Sequence, residues 1–403
     1  MERCVTYVVK EFENNKELYF RVQANINLDA ICNNINAIRQ VIKPGTKIMA
    51  VIKADGYGHG ASHIAAALNE IGVDAFAIAI LEEGVDLRQR GIDKPMLILG
   101  YTPKEQYADL VKYDISQTVF EYSMAEEISK QAVKQGKHGR IHIKVETGMN
   151  RIGFFDTDES IEEILRIAKL PNIEIEGIFT HFSSADEADK TSAHKQLMRF
   201  SEFIQKLEDR GLYIPMKHIA NSAGIIDLPE ADYDMVRSGI ITYGLYPSKE
   251  VHMDRLKLTP AMELKSHVVY VKEIGPLEGI SYGSTYITEK KTRVATVSIG
   301  YGDGYPRALS NKGRVLIHGE YAPILGRVCM DQFMVDVSHI DDVKQGDVVT
   351  LVGKDGDNQI TVEEVADMAG TFNYEFICGI GKRIPRVYYQ HGKISDCSDF
   401  FQY

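Results

Sequence analysis

The chain has 403 residues, of which 44% are hydrophobic and 26% charged, an ordinary globular composition with room for two or more domains. Its net charge of −11 argues against a general nucleic-acid or anionic-membrane partner. Five cysteines without CxxC spacing, no apolar run of membrane-spanning length and no signal-peptide core predict a cytoplasmic protein.

Helix and strand patterns alternate along the first part of the chain, after an N-terminal arm or strand predicted over residues 1–24. Apolar residues at helical spacing behind Asn27 predict a helix, and a buried strand follows over 47–52. Further strand candidates begin at positions 75, 95, 115, 140, 173, 216 and 233. Between them, Ser123 and Glu126 predict a capping box for a helix that Gly136 ends.

Eight strand candidates, most of them separated by helices, predict a parallel (β/α)8 barrel of the TIM type over 25–255. The link from the seventh strand to the eighth is short, and a doubly wound sheet is the alternative architecture. After about Pro260 the segments are strand-like with turns, and only "TVEEVADMAG" from Thr361 reads clearly as helix. We therefore expect a mostly β domain over 256–403.

Polar residues recur where the predicted barrel strands end, which is the face that carries the active site in such barrels. They are Lys53, Lys144, His181, Asn221, Ser222 and Arg237. Each alone has an ordinary structural explanation, such as a solvated lysine, a hydrogen-bonded histidine or an ion-paired arginine. Their recurrence at one face favours a functional site.

The stretch "KIMAVIKADGYGHG" places Lys53 between a buried strand and a glycine-rich loop. A partly desolvated lysine has a lowered pKa and can form an imine with a carbonyl compound. The loop allows backbone to approach a ligand closely, and "RSGIITYG", which contains Arg237, could present N–H groups to phosphate. An imine-forming lysine beside a phosphate site suggests pyridoxal 5′-phosphate, and no metal site is predicted.

Ten stretches are spread in order over both predicted domains: "AVIKADGYGHG" (50–60), "KVETGMNRIGF" (144–154), "THFSSADE" (180–187), "HIANSAG" (218–224), "MVRSGIITYGLYPS" (235–248), "SYGSTY" (281–286), "IGYGDGY" (299–305), "GRVCMDQFMVDV" (326–337), "NYE" (373–375) and "RIPR" (383–386). Together they resemble the bacterial alanine racemase family, whose members are pyridoxal-phosphate enzymes of fold type III.

The resemblance implies a set of cofactor contacts. Lys53 would hold the cofactor as an internal aldimine and act as one catalytic acid–base. Arg237 would face the pyridine nitrogen, and because a guanidinium only donates hydrogen bonds, that nitrogen would stay unprotonated. The remaining implied cofactor neighbours are Tyr57, Ser222, Gly239, Ile240 and Tyr374 near the phosphate, with Asn221 and His181 beside them.

Tyr282 is implied to be the second acid–base and to come from the other subunit of a homodimer. A tyrosine that acts as a base near neutrality needs nearby positive charge or hydrogen bonds. The substrate carboxylate would be held by Arg151 and the backbone of Met330, with Tyr301 as an entry gate and Asp331 beside it. Lys144 matches a lysine that is carbamylated in many members, the alternative being an ordinary lysine with an acid or chloride nearby.

The implied function is interconversion of L- and D-alanine, which supplies D-alanine for peptidoglycan. A racemase of serine or another amino acid remains open, although Tyr374 favours a small substrate pocket. A non-catalytic pyridoxal-phosphate carrier would have the barrel alone, whereas this chain continues with "SYGSTY" and "CMD". A decarboxylase on the same barrel is a further alternative, but its cysteine-centred motifs are not evident.

Overall fold

The computed structural model describes residues 21–401, which divide into two compact units. The barrel unit consists of Ala30–Gly56 and Ala61–Pro260. The β unit consists of Tyr57–Gly60 and the described parts of Met1–Asp29 and Ala261–Tyr403. The predicted N-terminal arm lies outside the described residues except for 21–24. No helix within residues 21–401 is long and apolar enough to cross a membrane.

The barrel unit is built on a parallel sheet that follows β1 (Val22–Asn27) along the chain. Its strands are β2 (Lys47–Val51), β3 (Ala75–Ile78), β4 (Met96–Ile98), β5 (Ser116–Val119), β6 (Gly139–Glu146), β7 (Phe154–Phe155), β8 (Ile173–Phe179), β9 (Met216–His218) and β10 (Met235–Ser238). Eight of them are neighbours in the order β10-β2-β3-β4-β5-β6-β8-β9, while β7 pairs with β6 off that path.

The ends of this sheet meet through backbone hydrogen bonds. The N–H groups of Asp234 and Arg237 donate to the carbonyls of Lys217 and Ala220 at 3.2 and 3.0 Å, which joins β10 to β9. A doubly wound sheet stays open, so this closure excludes that alternative and confirms the eight-stranded barrel.

One helix, α1 (Leu28–Val41), precedes the first barrel strand, and helices follow most of the barrel strands, as the apolar periodicity predicts. The helices that follow are α2 (Ala61–Glu70), α3 (Leu81–Gln89), α4 (Tyr107–Lys112), α5 (Tyr122–Gln135), α6 (Asp158–Ile167), α7 (Thr191–Asp209) and α8 (Ser222–Asp227). The short link from β9 to β10 holds α8 and a 3₁₀ turn at Pro229–Ala231. The core lies inside the barrel and under these helices, where strands such as β3 are buried at every residue.

The capping box predicted for α5 is wrong. Its N-cap is Glu121, which makes no capping hydrogen bond, and the Ser123 hydroxyl donates to the Glu121 carboxylate instead. The predicted end is confirmed, because Gly136 takes the left-handed conformation, with φ 63°, that glycine adopts without strain.

The β unit contains a ten-stranded sheet in the order β19-β18-β15-β16-β17-β14-β11-β1-β20-β21, which confirms the predicted mostly β region. The further strands are β11 (Met262–Ile274), β12 (Gly279–Ile280), β13 (Tyr286–Ile287), β14 (Thr292–Val297), β15 (Arg314–Ile317), β16 (Glu320–Leu325), β17 (Phe333–Asp336), β18 (Val348–Asp355), β19 (Asn358–Ile360), β20 (Arg386–Gln390) and β21 (Lys393–Ser398). The predicted helix is α9 (Val362–Ala369), and α10 (Asn373–Cys378) was not predicted.

Candidate active site

Lys53 lies at the carboxyl end of β2, where the chain enters a left-handed turn over Lys53–Tyr57. Ala54 and Asp55 both have φ 53°, a conformation that costs an L-residue roughly 1–2 kcal/mol. The turn is held by Glu83, whose two carboxylate oxygens accept the N–H groups of Ala54 at 2.6 Å and Ala79 at 2.7 Å. Sequence reasoning missed Glu83, because it lies in a helix and its contact with Ala54 spans 29 residues of the chain.

Two glycines of the loop after Lys53 serve protein packing, not only ligand approach as the sequence suggested. A Cβ at Gly58 would lie 2.3 Å from the Ile377 carbonyl oxygen, and one at Gly60 would lie 1.8 Å from the Tyr388 hydroxyl. These residues belong to the β unit, together with Tyr57. The Tyr57 ring packs 6.0 Å from that of Tyr374, so the structure brings these two predicted phosphate neighbours together.

Arg237 lies in β10 and is 3% exposed. Its guanidinium donates to Nδ1 of His218 at 2.8 Å, to Nδ1 of His181 at 3.1 Å and to the carbonyls of Thr180 and Ile219 at 2.9 Å. Burial, and after it the charge of Arg151, lowers the pKa of Arg237 to about 9, which leaves it charged near neutral pH.

His181 follows β8 and lies among the cationic side chains of the barrel unit. Burial and the charges of Arg237, Arg151, Lys144 and Lys53, in that order, hold the pKa of His181 well below its usual range. Its Nδ1 faces a guanidinium that can only donate, so the neutral ring carries its hydrogen on Nε2. His181 therefore presents an N–H donor on the side away from Arg237.

Asn221 and Ser222 form the turn that starts α8, and the Asn221 side chain caps it by accepting the Gly224 N–H at 3.0 Å. Ser222 Oγ accepts the N–H of Gly239 at 3.1 Å, which brings the turn after β9 against the turn after β10. Gly239 precedes a 3₁₀ turn at Ile240–Tyr243. The Gly239 N–H is engaged in this bond, so the donor that the contact leaves available is the Ser222 hydroxyl hydrogen, which suits an anion.

Lys144 lies inside β6, is 3% exposed and donates to the Val145 carbonyl at 2.7 Å. Burial, with smaller contributions from Arg237 and Arg151, lowers its pKa to about 8 against the opposing charge of Glu146. A substantial fraction of this amine is therefore neutral in mildly alkaline solution.

The loop that carries Arg151 is held by Glu146, a second residue that sequence reasoning missed. The buried Glu146 carboxylate accepts the N–H of Gly148 at 2.6 Å and that of Arg151 at 3.3 Å. Burial alone would raise the pKa of Glu146, but hydrogen bonds from Asn150 and Gly148 and the charge of Lys144 lower it. The ionised carboxylate fixes the backbone from which the Arg151 side chain extends.

The remaining predicted site residues lie together in the β unit. Tyr282, Met330 and Asp331 line one open pocket, and the N–H of Tyr301 donates to the Cys329 carbonyl at 3.1 Å. Tyr282, Met330 and Tyr301 are 69%, 52% and 42% exposed in this single chain. Two large exposed side chains, those of Tyr282 and Met330, line this pocket, and such exposed apolar surface is typical of a binding site.

A buried carboxylate supports the turn that carries Tyr301. Asp303 is fully buried, accepts the Gly300 N–H at 3.1 Å and pairs with both terminal nitrogens of Arg21 at 2.6 and 3.1 Å. Arg383 approaches the same carboxylate at 3.5 Å and reaches Asp331 at 2.8 Å. Sequence reasoning missed Arg21 and Asp303, because their separation along the chain gives no local signal.

The predicted site residues thus fall into two groups. The barrel unit brings together Lys53, Lys144, Arg151, His181, Asn221, Ser222, Arg237, Gly239 and Ile240, and the β unit brings together Tyr282, Tyr301, Met330 and Asp331, with Tyr57 and Tyr374 also in that unit.

Comparisons with known proteins agree along nearly the whole chain. The family descriptions "Alanine racemase, N-terminal domain" and "Alanine racemase, C-terminal domain" match residues 26–247 and 261–388. The chain is 48% identical to an alanine racemase of Clostridium perfringens over 93% of this chain and 96% of that protein.

Solved structures give the same result. The alanine racemase of Clostridium difficile 630 superposes with a TM-score of 0.93 at 43% identity, over 96% of this chain and all of that one. The alanine racemase of Bacillus anthracis with bound L-Ala-P superposes with a TM-score of 0.90 at 36% identity, over 96% of this chain and 99% of that one.

Proposed function

The chain belongs to the alanine racemase family, and on that premise we propose that it interconverts L-alanine and D-alanine with pyridoxal 5′-phosphate as cofactor. The observation that carries the proposal is the arrangement of the neighbouring strands β2 and β10, which pair in parallel. Lys53 follows the first, and the second holds the buried Arg237. A reactive amine and a fixed cation thus come from adjacent strands.

The residues of the barrel unit fit pyridoxal 5′-phosphate. Lys53 supplies the amine for the cofactor aldehyde, and the Ser222 hydroxyl, beside the turn of Gly239 and Ile240, supplies a donor for the phosphate. Arg237 supplies a donor for the pyridine nitrogen. When bound, the cofactor withdraws electrons and so stabilises negative charge on the Cα of an attached amino acid.

Arg237 sets the chemistry of this site toward racemisation. As a donor that stays charged, it leaves a facing pyridine nitrogen unprotonated. A pyridine ring with an unprotonated nitrogen withdraws electron density less strongly than a protonated ring, and this limits side reactions such as transamination. Four hydrogen bonds to the barrel hold the guanidinium in this role.

Racemisation needs one acid–base on each face of the deprotonated Cα. We assign these roles to Lys53 and Tyr282, the tyrosine acting on L-alanine and the lysine on D-alanine. The substrate carboxylate is assigned to Arg151 and the backbone of Met330. The ionised Glu146 supports the first of these contacts by holding the Arg151 backbone.

The tyrosine is proposed to act on the cofactor of a second copy of the chain, so that the enzyme is a homodimer with shared sites. Its exposure of 69% in the single chain supports this proposal. Mixing Lys53→Ala protein with Tyr282→Phe protein should restore activity through hybrid dimers. Mixing Lys53→Ala with Arg237→Ala should not, because both changes lie in the barrel unit and every hybrid site keeps a defect.

Lys144 is proposed to react with carbon dioxide, its neutral amine forming a carbamate and releasing a proton. The pKa of about 8 supports this reaction, since the neutral amine is the nucleophile. The resulting anion would lie near Arg151 and Arg237, whose charges act on Lys144, and would orient the Arg151 side chain.

Racemisation by purified protein is the direct test. The protein is incubated with each enantiomer of alanine, serine and larger amino acids, with and without pyridoxal 5′-phosphate, and the products are separated by chiral chromatography. We expect cofactor-dependent conversion of alanine above all others, and none by Lys53→Ala. Faster conversion of serine, or no conversion of any amino acid, would contradict the proposal. D-alanine supply for peptidoglycan, in the cytoplasm, is the physiological role that we propose.

A further inference from the structure

The barrel interior holds a line of polar side chains that the proposed proton transfers do not use. It starts at Arg237, whose guanidinium donates to Nδ1 of His218 at 2.8 Å. Nε2 of His218 lies 2.9 Å from Nδ1 of His142, and Nε2 of His142 lies 3.8 Å from a carboxylate oxygen of Glu176. The two histidines are 0% and 4% exposed, so the line runs through buried space.

The hydrogen positions on the two histidine rings follow from Arg237, the first residue of the line. A guanidinium only donates, so Nδ1 of His218 must present a lone pair. Burial, and after it the charge of Arg237, holds the pKa of His218 well below its usual range, so the ring is neutral and carries its hydrogen on Nε2. That hydrogen is donated to Nδ1 of His142, which leaves the hydrogen of His142 on Nε2, toward Glu176.

The far end of the line is a carboxylate that is held ionised. Glu176 accepts the Ser116 hydroxyl at 2.5 Å and a guanidinium hydrogen of Arg140 at 2.6 Å. Burial alone would raise its pKa, but the nearby His142 ring, the Ser116 hydroxyl and Arg140 lower it to about 2. An ionised carboxylate only accepts, so both ends of the line favour the same hydrogen direction.

Two packing features fix the positions of the His218 and His142 rings. The Phe179 ring stacks on His218 with centroids 4.8 Å apart and an angle of 3° between planes. Gly177 makes room for the other ring, because a Cβ there would lie 2.4 Å from Nδ1 of His142. Any larger residue at this position must displace the His142 ring that meets His218.

We propose that Glu176, His142 and His218 are positioning residues that act through Arg237, locking both histidines in their Nε2–H tautomers so that a lone pair always faces the guanidinium. In the reverse arrangement His218 would direct an N–H at Arg237, and two donors would meet at 2.8 Å. Within residues 21–401 no carboxylate forms an ion pair with Arg237, and the neutral His218 ring instead accepts one of its hydrogen bonds. The inference rests on the proposed function only in assigning Arg237 to the cofactor.

The test is nitrogen-15 NMR of the cofactor-free protein with labelled histidine, the signals being assigned with His142→Asn and His218→Asn. In the wild-type protein both rings should show an unprotonated Nδ1 and a protonated Nε2. A protonated Nδ1 on either ring would overturn the proposal, whatever the variants do. The NMR measurement requires neither cofactor nor catalytic activity, so its result does not depend on whether the protein racemises alanine.

Glu176→Gln and Glu174→Gln form a matched pair on β8, since both side chains lie near Arg140 but only Glu176 lies near His142. A glutamine is uncharged and can donate as well as accept, so Glu176→Gln should weaken the hold on His142 and shift its nitrogen signals, whereas His218 should keep an unprotonated Nδ1 because Arg237 still donates to it. Pyridoxal 5′-phosphate should then bind about tenfold more weakly, the worth of one hydrogen bond to a charged group. Glu174→Gln should change neither. Equal effects of the two variants, or no change of the His142 signals in Glu176→Gln, would refute the proposal.

Discussion

Replacing Tyr282 with phenylalanine removes one hydroxyl group, and we expect this to reduce the rate of racemisation but not the stability of the protein. The side chain is 69% exposed, and its hydroxyl makes no hydrogen bond within the described chain, so the free energy of unfolding should change by less than about 0.5 kcal/mol. As an acid–base, however, the hydroxyl should be worth about 10²–10⁴ in rate, or about 3–5 kcal/mol in the activation barrier.

Three measurements are made on the variant. Racemisation is followed from each enantiomer, stability is measured by thermal unfolding, and cofactor binding is measured by absorbance. We expect Tyr282→Phe to lose racemisation, to bind pyridoxal 5′-phosphate normally and to exchange the α-proton of D-alanine with solvent faster than that of L-alanine. Tyr213→Phe is the control, because Tyr213 is 68% exposed and lies outside both groups of site residues. Near-normal racemisation by Tyr282→Phe, or equal exchange from both enantiomers, would refute the assignment and leave Tyr301 as the next residue to test.

Three further predictions concern Lys53, Lys144 and Glu176. Borohydride reduction of the cofactor-loaded protein should place the pyridoxyl label on Lys53 in a peptide map, and label on another lysine alone would contradict the assignment. Bicarbonate should add the mass of carbon dioxide to Lys144 more above pH 8 than below it, because the neutral amine increases as the pH rises through its pKa of about 8; an unmodified Lys144 at every pH would refute this. Because the pKa of Glu176 is depressed to about 2, its contribution to stability, about 3 kcal/mol, is present above pH 4.5 and is lost as the pH falls toward 2. Glu176→Gln should flatten that acid limb of the stability curve and Glu174→Gln should not.

The barrel could be predicted because its signals are local. A parallel strand buried on both faces gives a short apolar run, and an amphipathic helix repeats with a period of 3.6 residues, so β2 and α7 are visible in the sequence. The residues at which helices and strands begin and end were harder to predict. The pair Ser123 and Glu126 has capping-box spacing, yet the helix starts one residue before Ser123, and nothing local distinguishes those two starting points.

The residues that hold the site could not be predicted from local patterns. Glu83 fixes the turn after Lys53 through Ala54, which is 29 residues away, and Arg21 pairs with Asp303, which is 282 residues away. Glu146 is close in sequence to the loop of Arg151, but its contacts depend on how that irregular loop folds. The candidate site residues were found from strand ends and family motifs, which carry no information on these partners or on the tautomers of His142 and His218.

Two residues are proposed to exchange protons with opposite faces of the alanine Cα, and the uptake of deuterium from solvent tests this most directly. L-alanine is incubated with the cofactor-loaded protein in D₂O, and the label at Cα of both enantiomers is measured at early times. Two acid–bases predict that the newly formed D-alanine carries solvent deuterium at Cα. D-alanine that retains the original proton would show that a single residue serves both faces, and an absence of D-alanine would contradict racemisation itself.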